Sequence, residues 1–459
     1  MEIKASSLGN EHPQRPDTEP DTQRRHGLSR TEVRTLALCS LGSALEYYDF
    51  TVFVFFAGVM GKLFFPPSMP DWLVHVQTFA IFAVGFIVRP IGGTIIAHFG
   101  DRLGRKKLFM FTIFLMAVPT LLIGLLPTYA QVGAAAPLLL LLLRICQGLA
   151  VAGELPGAAV FITEHIPGSR VGLGCGSFFG ALYLGLFLGA LCGALTSSTL
   201  DAAAVSAYGW RIAFIVGGLF GLVSVYLRRY LDETPLFEVV RQRKALAQRI
   251  PLKEVLLHHR PACWFVVGLA FFLSEAIVVL FQYMPTYLQT AYHLPREAVF
   301  QANSLAILVL AAMNPVWGWI GDRIGLGRAL AVGAVLMAGS TWWFFAQVGA
   351  AQLGTGTGSV VPAWLLVAMA SGVIGLVPSL AAVVFPTEVR FTGFAFPYNI
   401  GAALFAGLTP LALSWSTHAI GGYAAPTLVL VACAVGLALG LWSKRMTFFM
   451  RSDGATEHA

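Results

Sequence analysis

Long runs of apolar residues alternate with short polar segments along almost the whole chain. The runs are about 20 residues or longer, which is the length that an α-helix needs to cross the hydrocarbon core of a bilayer. Membrane-spanning β-strands would be about 10 residues long and would alternate in polarity. The pattern therefore predicts twelve transmembrane helices, at approximately 34–58, 73–98, 107–127, 136–163, 172–197, 209–229, 261–289, 298–320, 328–348, 361–385, 393–417 and 423–444.

The composition of the chain agrees with this pattern. Of the 459 residues, 57% are hydrophobic and only 12% are charged, whereas about a quarter of the residues in a soluble domain are charged. The expected fold class is therefore an all-α integral membrane protein. Residues 1–30 are polar, contain prolines and lack an apolar run, so we expect a mobile tail there and no signal peptide.

Lysine and arginine are distributed unevenly between the two sides of the predicted helices. With an even number of spans both termini share one side, and most of the 30 basic residues fall there. Only Lys62, Arg211 and Arg296 fall on the other side. Because positive charge marks cytoplasmic loops, both termini and the basic segment 231–260 are predicted to be cytoplasmic. The net charge of +7 is then a topology signal, and no nucleic-acid partner is expected.

Two motifs occur twice in the chain. The segment Gly100–Lys107 (GDRLGRKK) is echoed by Gly321–Arg328 (GDRIGLGR), and Thr163–His165 is echoed by Thr387–Arg390. The offsets are similar, at 221 residues (100 to 321) and 224 residues (163 to 387). Two echoes at one offset indicate two pseudo-symmetric six-helix bundles, between which a transporter binds its substrate near the bilayer midplane. The expected organisation is an N-tail at 1–30, a bundle at 31–230, a central loop at 231–260, a bundle at 261–446 and a C-tail at 447–459.

The repeats and several further motifs resemble the major facilitator superfamily, and within it the metabolite:proton symporters. That group includes carriers for α-ketoglutarate, citrate, shikimate, proline and glycine betaine. The resemblance covers residues 35 to about 445 and implies proton-coupled transport by alternating access. It depends on Leu45–Phe50 (LEYYDF), Val88–Gly93 (VRPIGG), Arg144–Gly148 (RICQG), Gly153-Glu154, Gly209–Arg211 (GWR), Glu233–Phe237 (ETPLF) and Phe385–Arg390 (FPTEVR). Ala97 and Ala152 stand where the superfamily usually has glycine, which exchanges one small residue for another.

Two acidic residues in the first predicted helix are candidates for proton coupling. Glu46 and Asp49 are three positions apart and so share one helix face. A charge at the bilayer centre costs about 2.5 to 3.5 kcal/mol, so both should face the protein interior. Burial favours the protonated form of a carboxylate, which allows proton exchange near neutral pH. The alternative is a structural pair that Tyr47, Tyr48 or Arg89 satisfies.

Arg89 and Arg144 are interpreted as the only strong cations inside the spans. A guanidinium group can hold a carboxylate by two parallel hydrogen bonds, so an anionic or zwitterionic substrate is expected. We assign Arg89 to substrate binding and Arg144 to proton coupling, and the alternative is that they only neutralise nearby acids. Glu154 is assigned to proton coupling as well. Three acids would then face two arginines, and one proton would cancel the excess charge.

Further polar residues in the spans are candidates for substrate contacts. Glu275 lies outside every motif, and it could set substrate choice or bind a second proton. Arg211 is implied by the resemblance, although it could equally anchor the helix at the membrane surface beside Trp210. Interhelical hydrogen bonds would also explain the polar residues of the second bundle. The remaining candidates are Tyr48, Gln282, Tyr283, Tyr398 and Asn399.

The resemblance also implies a cytoplasmic gate at the repeated loop motif. Its ion pairs would form only when the two bundles meet on the cytoplasmic side. The alternative is that the basic residues simply mark topology. The candidate gate residues are Asp101, Arg102, Arg105, Glu164, Asp322, Arg323, Glu388 and Arg390.

Other classes of membrane protein lack their motifs in this chain. An ATP-driven pump needs GxxxxGK[ST], and hydrolases need patterns such as GxSxG or HExxH, none of which occurs. The six cysteines have no metal-type spacing. We therefore expect no enzyme activity, no metal and no cofactor beyond the proton gradient. The expected function is uptake of a small metabolite with H⁺ by a monomer in the lipid of an inner membrane, and the alternative is a proton antiporter that exports a metabolite, siderophore or drug.

Overall fold

The computed structural model describes residues 28–231, 233–234, 251–292, 296–352, 360–420 and 423–455. The expected N-tail up to residue 27, most of the central loop and the last four residues lie outside the described residues. Where the chain is described, it forms helices and turns and no strand. The helices are α1 Arg30–Phe64, α2 Asp71–Ile87, α3 Arg89–Leu103, α4 Arg105–Leu125, α5 Ala135–His165, α6 Val171–Thr199, α7 Trp210–Arg228, α8 Pro251–His258, α9 Arg260–Ile277, α10 Met284–Tyr292, α11 Arg296–Ile324, α12 Leu326–Gln352, α13 Val360–Ser371, α14 Val377–Val383, α15 Arg390–Ile420 and α16 Ala424–Ala455.

Short helical segments join some of these helices. The wide turns of a π-helix connect α9 to α10 over Val278–Tyr283, and a 3₁₀ segment connects α13 to α14 over Gly372–Leu376. Two predicted spans, 261–289 and 361–385, are therefore helical along their length but change their winding near the middle. Other short helical turns are Tyr129–Val132, Gly168–Arg170, Ala202–Ala204 and Val205–Gly209.

The described residues contain eleven helical segments that are long and apolar enough to cross a membrane. The remaining predicted span, 73–98, is occupied by α2 and α3, which follow each other with a break at Val88. Pro90 lies just after the break and has no N–H for the carbonyl of Phe86, which kinks the helix. With this broken span, the described residues contain the twelve spans that the hydropathy pattern predicts.

Both copies of the repeated motif have the same local structure. Gly104 has φ 108° and separates α3 from α4, and Gly325 has φ 95° and separates α11 from α12. A residue with a Cβ atom is strained at such positive φ values, so glycine suits both positions. The echo in the sequence is therefore an echo in the backbone.

The first half of the fold, α1 to α7, meets the second half, α9 to α16, mainly through two helix pairs. Helix α3 packs on α15, and α6 packs on α11. Three glycines of α6 lie directly against the α11 backbone: a Cβ atom at Gly172 or Gly176 would be 2.5 Å from a carbonyl oxygen of α11, and one at Gly180 would be 2.6 Å away. The glycine-rich sequence of this helix thus allows the halves to approach closely.

Candidate functional site

A cavity of about 90 Å³ lies between the two halves. Pockets for drug-sized ligands are about 300–1,000 Å³, so this one suits a small solute. Its polar and aromatic lining consists of Glu46, Tyr47, Asp49, Phe86, Arg89, Arg144 and Gln147 from the first half and Ser274, Gln282 and Tyr398 from the second half.

Six of the residues that the sequence predicts for proton coupling or substrate binding line the cavity. These are Glu46, Asp49, Arg89, Arg144, Gln282 and Tyr398. Sequence reasoning did not assign Tyr47, Phe86, Gln147 or Ser274 to the site. Gln147 lies inside the RICQG motif, so the motif could have indicated this residue as a site candidate.

Asp49 and Arg144 form a buried ion pair on one wall of the cavity. Arg144 Nη1 lies 3.0 Å from Asp49 Oδ2 and also donates to Gln147 Oε1 at 2.8 Å. Gln147 Nε2 in turn donates to Thr120 Oγ1 at 2.8 Å. The guanidinium carbon of Arg144 lies 3.6 Å from the centroid of the Phe53 ring. The network neutralises the charges of both residues and fixes their orientation.

Glu46 and Arg89 differ from that pair because neither forms an ion pair with another described residue. Glu46 is 4% exposed, and its Oε2 atom has no hydrogen-bond partner among the described residues. The same is true of Arg89 Nε, while the guanidinium lies over the Phe86 ring at 4.2 Å. Arg89 is near enough to act on Glu46 electrostatically. The cavity thus contains one carboxylate and one guanidinium group that are not paired.

Glu154 lies outside the cavity lining, which corrects its expected place beside Glu46 and Asp49. Its carboxylate pairs with Arg228, with Nη2 to Oε1 at 2.6 Å and Nη1 to Oε2 at 3.2 Å, and it accepts from Thr112 Oγ1 at 2.7 Å. Arg228 is completely buried. The interpretation of two arginines as the only cations in the spans was wrong, because Arg228 reaches back into the bundle from the end of α7.

The expected excess of one acid in the cavity was wrong for the same reason. Two acids, Glu46 and Asp49, and two arginines, Arg89 and Arg144, line it. A proton is therefore not needed to balance the formal charge of the empty cavity. A zwitterionic substrate would leave that charge balance unchanged. A monoanion that enters together with one proton would leave it unchanged as well.

Glu275 lies beside the cavity and not in its lining. The carboxylate is 1% exposed and lies between α9 and α15, where Thr409 Oγ1 donates to Oε1 at 2.6 Å. Its Oε2 atom has no partner among the described residues. The neighbouring residues Ser274 and Ile277 line the cavity instead, because a helix turns by about 100° per residue and these two positions point away from the Glu275 side.

Four other predicted substrate contacts also lie outside the cavity lining. Tyr48 points the other way from Tyr47, and its hydroxyl donates to the carbonyl of Ala213 at 3.0 Å. Arg211 donates to the carbonyls of Gly124 and Leu126 at 2.9 and 2.7 Å, where α4 ends and leaves acceptors free. Its guanidinium also stacks on Trp210, as the anchor interpretation predicts. The other two are Tyr283 and Asn399.

At one end of the bundle, which we name the basic end, the repeated motif joins the two halves. This end contains the loops at Gly104 and Gly325. Asp101 of the first half accepts hydrogen bonds from the backbone N–H groups of Phe391 and Thr392, at 3.3 and 2.9 Å, in the first turn of α15. Carboxylates stabilise helix N-termini because they complement the free N–H groups and the helix dipole.

The second copy of the motif makes the reciprocal contact. Asp322 of the second half accepts from the N–H groups of Gly172 and Leu173, at 2.7 and 2.8 Å, in the first turn of α6. Each half therefore caps a helix of the other half. The two halves are therefore joined at the basic end in this structure, and the gating role of these residues stays a prediction.

An ion-pair network adds to these contacts. Glu164 in α5 lies 2.7 Å from Arg105 Nη1 and 3.0 Å from Arg390 Nη1, so it bridges one arginine from each half. Arg105 Nη2 also donates to the carbonyl of Thr387 at 2.6 Å. The side chains of Arg105 and Glu164 are almost fully buried, so water screens the pairs little.

Three predicted gate residues have no hydrogen bond or ion pair that joins the halves in the described part of the chain. Arg102 is exposed. Arg323 is exposed and stacks on Trp319 of its own half at 3.8 Å. Glu388 is half-buried. The motif spacing predicts the loop correctly, but it does not indicate which side chains turn toward the partner half.

Comparison with known proteins gives consistent results for sequence and structure. Residues 39–406 match the Major Facilitator Superfamily. The chain is 32% identical to the glycine betaine/proline/ectoine/pipecolic acid transporter OusA of Dickeya dadantii (strain 3937), over 90% of this chain and 83% of the relative. It is 30% identical to the proline/betaine transporter of Escherichia coli (strain K12), with the same coverage, and 33% identical to the inner membrane metabolite transport protein YhjE of that strain, over 84% and 88%.

Solved structures with a similar fold include the proton:xylose symporter XylE bound to 6-bromo-6-deoxy-D-glucose. The TM-score is 0.72 with 16% sequence identity, over 91% of this chain and 96% of that one. For the inward open conformation of XylE from E. coli the TM-score is 0.59, with 16% identity over 90% and 96%. The chain belongs to the Major Facilitator Superfamily and, within it, to the metabolite:proton symporters.

Proposed function

We propose that the protein takes up a small zwitterionic metabolite together with a proton, by alternating access of the cavity to the two sides of the membrane. The observation that carries this proposal is the pair of opposite charges in the cavity that have no ion-pair partner among the described residues, Glu46 and Arg89. The protein is a multi-pass membrane protein, and we place the basic end in the cytoplasm because positive loops remain there. It acts as a monomer in the inner membrane and uses the proton gradient without a cofactor.

Arg89 binds the carboxylate of the substrate. Its guanidinium lies against Phe86 in the cavity, and Nε has no acceptor among the described residues. A guanidinium group binds a carboxylate with two parallel hydrogen bonds, which gives both affinity and orientation. The rings of Tyr47 and Tyr398 line the same cavity and offer faces to a quaternary or secondary ammonium group. Proline, betaine and pipecolic acid, which appear in the names of relatives, combine these two charges.

Glu46 carries the coupled proton. Asp49 is the other carboxylate in the cavity, but Arg144 at 3.0 Å stabilises its ionised form. A buried carboxylate without such a partner is protonated more easily. When Glu46 is neutral, the substrate carboxylate faces Arg89 without repulsion. After the basic end opens, water reaches Glu46 and the proton leaves to the cytoplasm.

Uptake into proteoliposomes tests the proposal. An inward proton gradient is imposed, and labelled proline, glycine betaine, ectoine, pipecolic acid, citrate, α-ketoglutarate and shikimate are screened with and without a protonophore. We expect accumulation of one of the zwitterions, lost with the protonophore. If only citrate or α-ketoglutarate accumulates, the proposal of a zwitterionic substrate is rejected. If preloaded vesicles lose a compound under the same gradient, the protein is a proton antiporter that exports it.

A further inference from the structure

A proline in the first half leaves one backbone carbonyl without its usual donor near the cavity. Pro156 lies inside α5 and has no N–H, so the carbonyl of Ala152, four residues earlier, lacks its helical hydrogen bond. Ala152 is fully buried. Within a membrane protein such a carbonyl needs another partner, because no bulk water is available to it.

The partner comes from the other half. Asn399 of α15 donates from Nδ2 to the carbonyl oxygen of Ala152 at 2.9 Å. The second hydrogen of the same amide group donates to the carbonyl of Ala395 at 2.8 Å, one turn earlier in α15. Both hydrogens of Nδ2 are thereby used, which fixes the orientation of the side chain.

A glycine makes room for this bond. Gly93 of α3 faces the Asn399 amide, and a Cβ atom there would overlap Nδ2 and lie 3.2 Å from the Ala152 oxygen. Asn399 itself is only 2% exposed. The bond thus occupies a buried slot between three helices, α3, α5 and α15.

The slot lies between the cavity and the gate. Tyr398 and Ala402 of α15 and Val151 of α5 line the cavity, so the bond is directly beside it. Toward the basic end, the first turn of α15 is held by Asp101. Helix α15 is therefore attached to the first half at two levels, once at its end and once next to the cavity.

We propose that the bond from Asn399 to the Ala152 carbonyl is an inner latch that keeps the cavity closed toward the basic end. The inference rests on the proposed alternating access, because opening the basic end separates α15 from α5. The carbonyl then loses its donor, and the helix cannot supply another because residue 156 is a proline. Opening is complete only when water enters the slot and takes the place of Asn399. The latch therefore couples opening of the basic end to the entry of water into the slot.

Amide hydrogen exchange followed by mass spectrometry tests the latch without any substrate. The readout is exchange in the peptides that contain residues 390–396 and 171–176, whose first-turn amides are held across the halves in the closed state. The loss of one hydrogen bond should raise exchange there about fivefold in Asn399→Ala. Asn399→Leu, which has a similar side-chain volume and no hydrogen-bond donor, should behave alike.

Pro156→Ala provides the decisive second variant. It restores an N–H group at position 156, so the Ala152 carbonyl gains an internal donor and the latch weakens. We expect raised exchange in this variant and no further rise in the double variant Asn399→Ala/Pro156→Ala, because both changes act on one bond. Pro119→Ala, at a buried proline inside α4, is the matched control and should leave exchange at the basic end unchanged.

Transport kinetics give a separate readout. If the latch favours the state that receives substrate from outside, its loss lowers the population of that state and raises KM several-fold at an unchanged maximal rate. The latch would be overturned if the Asn399→Ala variant exchanged its amides at the wild-type rate. It would also be overturned if the increases in exchange rate of the two single variants multiplied in the double variant. If no substrate is transported by the wild type, the proposed function fails while the exchange data still decide on the latch.

Discussion

The gate at the basic end and the cavity use the duplicated fold in different ways. At the predicted gate the two aspartates of the repeated motif make equivalent contacts, because Asp101 caps α15 of the second half and Asp322 caps α6 of the first half. In the cavity the symmetry is lost. All four charged lining residues, Glu46, Asp49, Arg89 and Arg144, come from the first half, and the described lining of the second half is uncharged.

The difference follows from what each region has to do. A gate that opens by rocking two similar bundles works with the same contact twice, because both halves move relative to one interface. Proton coupling needs one carboxylate that is exposed in turn to each side, and a second charged set would compete for the same substrate. The first half therefore supplies the charged residues of the cavity, and the described lining of the second half is uncharged.

The largest effect should come from breaking the buried pair in the cavity. Arg144→Ala leaves Asp49 without its cation, and removal of one partner of a buried pair costs about 3 to 5 kcal/mol. We expect a large drop in the thermal unfolding temperature of the purified protein and no uptake. Arg144→Lys keeps a positive charge and should recover part of the stability. Unchanged stability in Arg144→Ala would mean that the pair is not a structural part of the first half.

The second prediction compares one carboxylate from each half. A potential of 100 mV supplies about 2.3 kcal/mol per charge, which supports an accumulation of about fiftyfold. In Glu46→Gln this accumulation should fall to equilibration, while exchange of labelled for unlabelled substrate continues. Glu275→Gln is the matched control, because the amide oxygen can still accept from Thr409.

The measurement is uptake under an imposed potential, followed by counterflow without one. If Glu275→Gln loses accumulation and Glu46→Gln keeps it, proton coupling belongs to the second half and not to the first. Loss in both variants would indicate that each half carries a coupled proton.

The third prediction tests the symmetry of the gate. Asp101→Asn and Asp322→Asn each keep one oxygen that can accept from a helix amide, but each replaces the second acceptor by an NH2 group and removes a negative charge from a helix N-terminus. That charge is worth about 0.3 to 1 kcal/mol. We expect exchange of the amides at Phe391 and Thr392 in one variant, and at Gly172 and Leu173 in the other, to rise by similar factors of about two to five. A strong effect in only one variant would show that the two copies have diverged.

The smallest effect is expected for the exposed arginines of the two motif copies. Arg102→Ala and Arg323→Ala should change stability by no more than about 0.5 kcal/mol and leave uptake near the wild-type rate. Arg105→Ala is the contrast, because it removes the partner of Glu164 at 2.7 Å and should weaken the closed gate. If the uptake rate fell as far in Arg102→Ala as in Arg105→Ala, the exposed arginines would also contribute to gating.

The sequence by itself determined the number of spans, the duplication and the location of the cavity. Apolar runs about 20 residues long have one stable form in a bilayer, because every backbone polar group must be satisfied within the segment. The repeated motif likewise indicates the glycine breaks at Gly104 and Gly325 and the carboxylates of the gate. Glu46 and Asp49 could be assigned to the interior because charges in a span avoid lipid.

Only the tertiary structure decided which charge meets which partner. Glu154 pairs with Arg228, which is 74 positions away, and Asn399 reaches the Ala152 carbonyl across 247 positions. Hydropathy does not specify these pairs, because the runs are apolar on all sides and do not reveal the rotation of each helix. A rotation of one residue, about 100°, separates Tyr47 in the cavity from Tyr48 outside it. Helix crossing and packing set that rotation, and they depend on contacts between segments far apart in the chain.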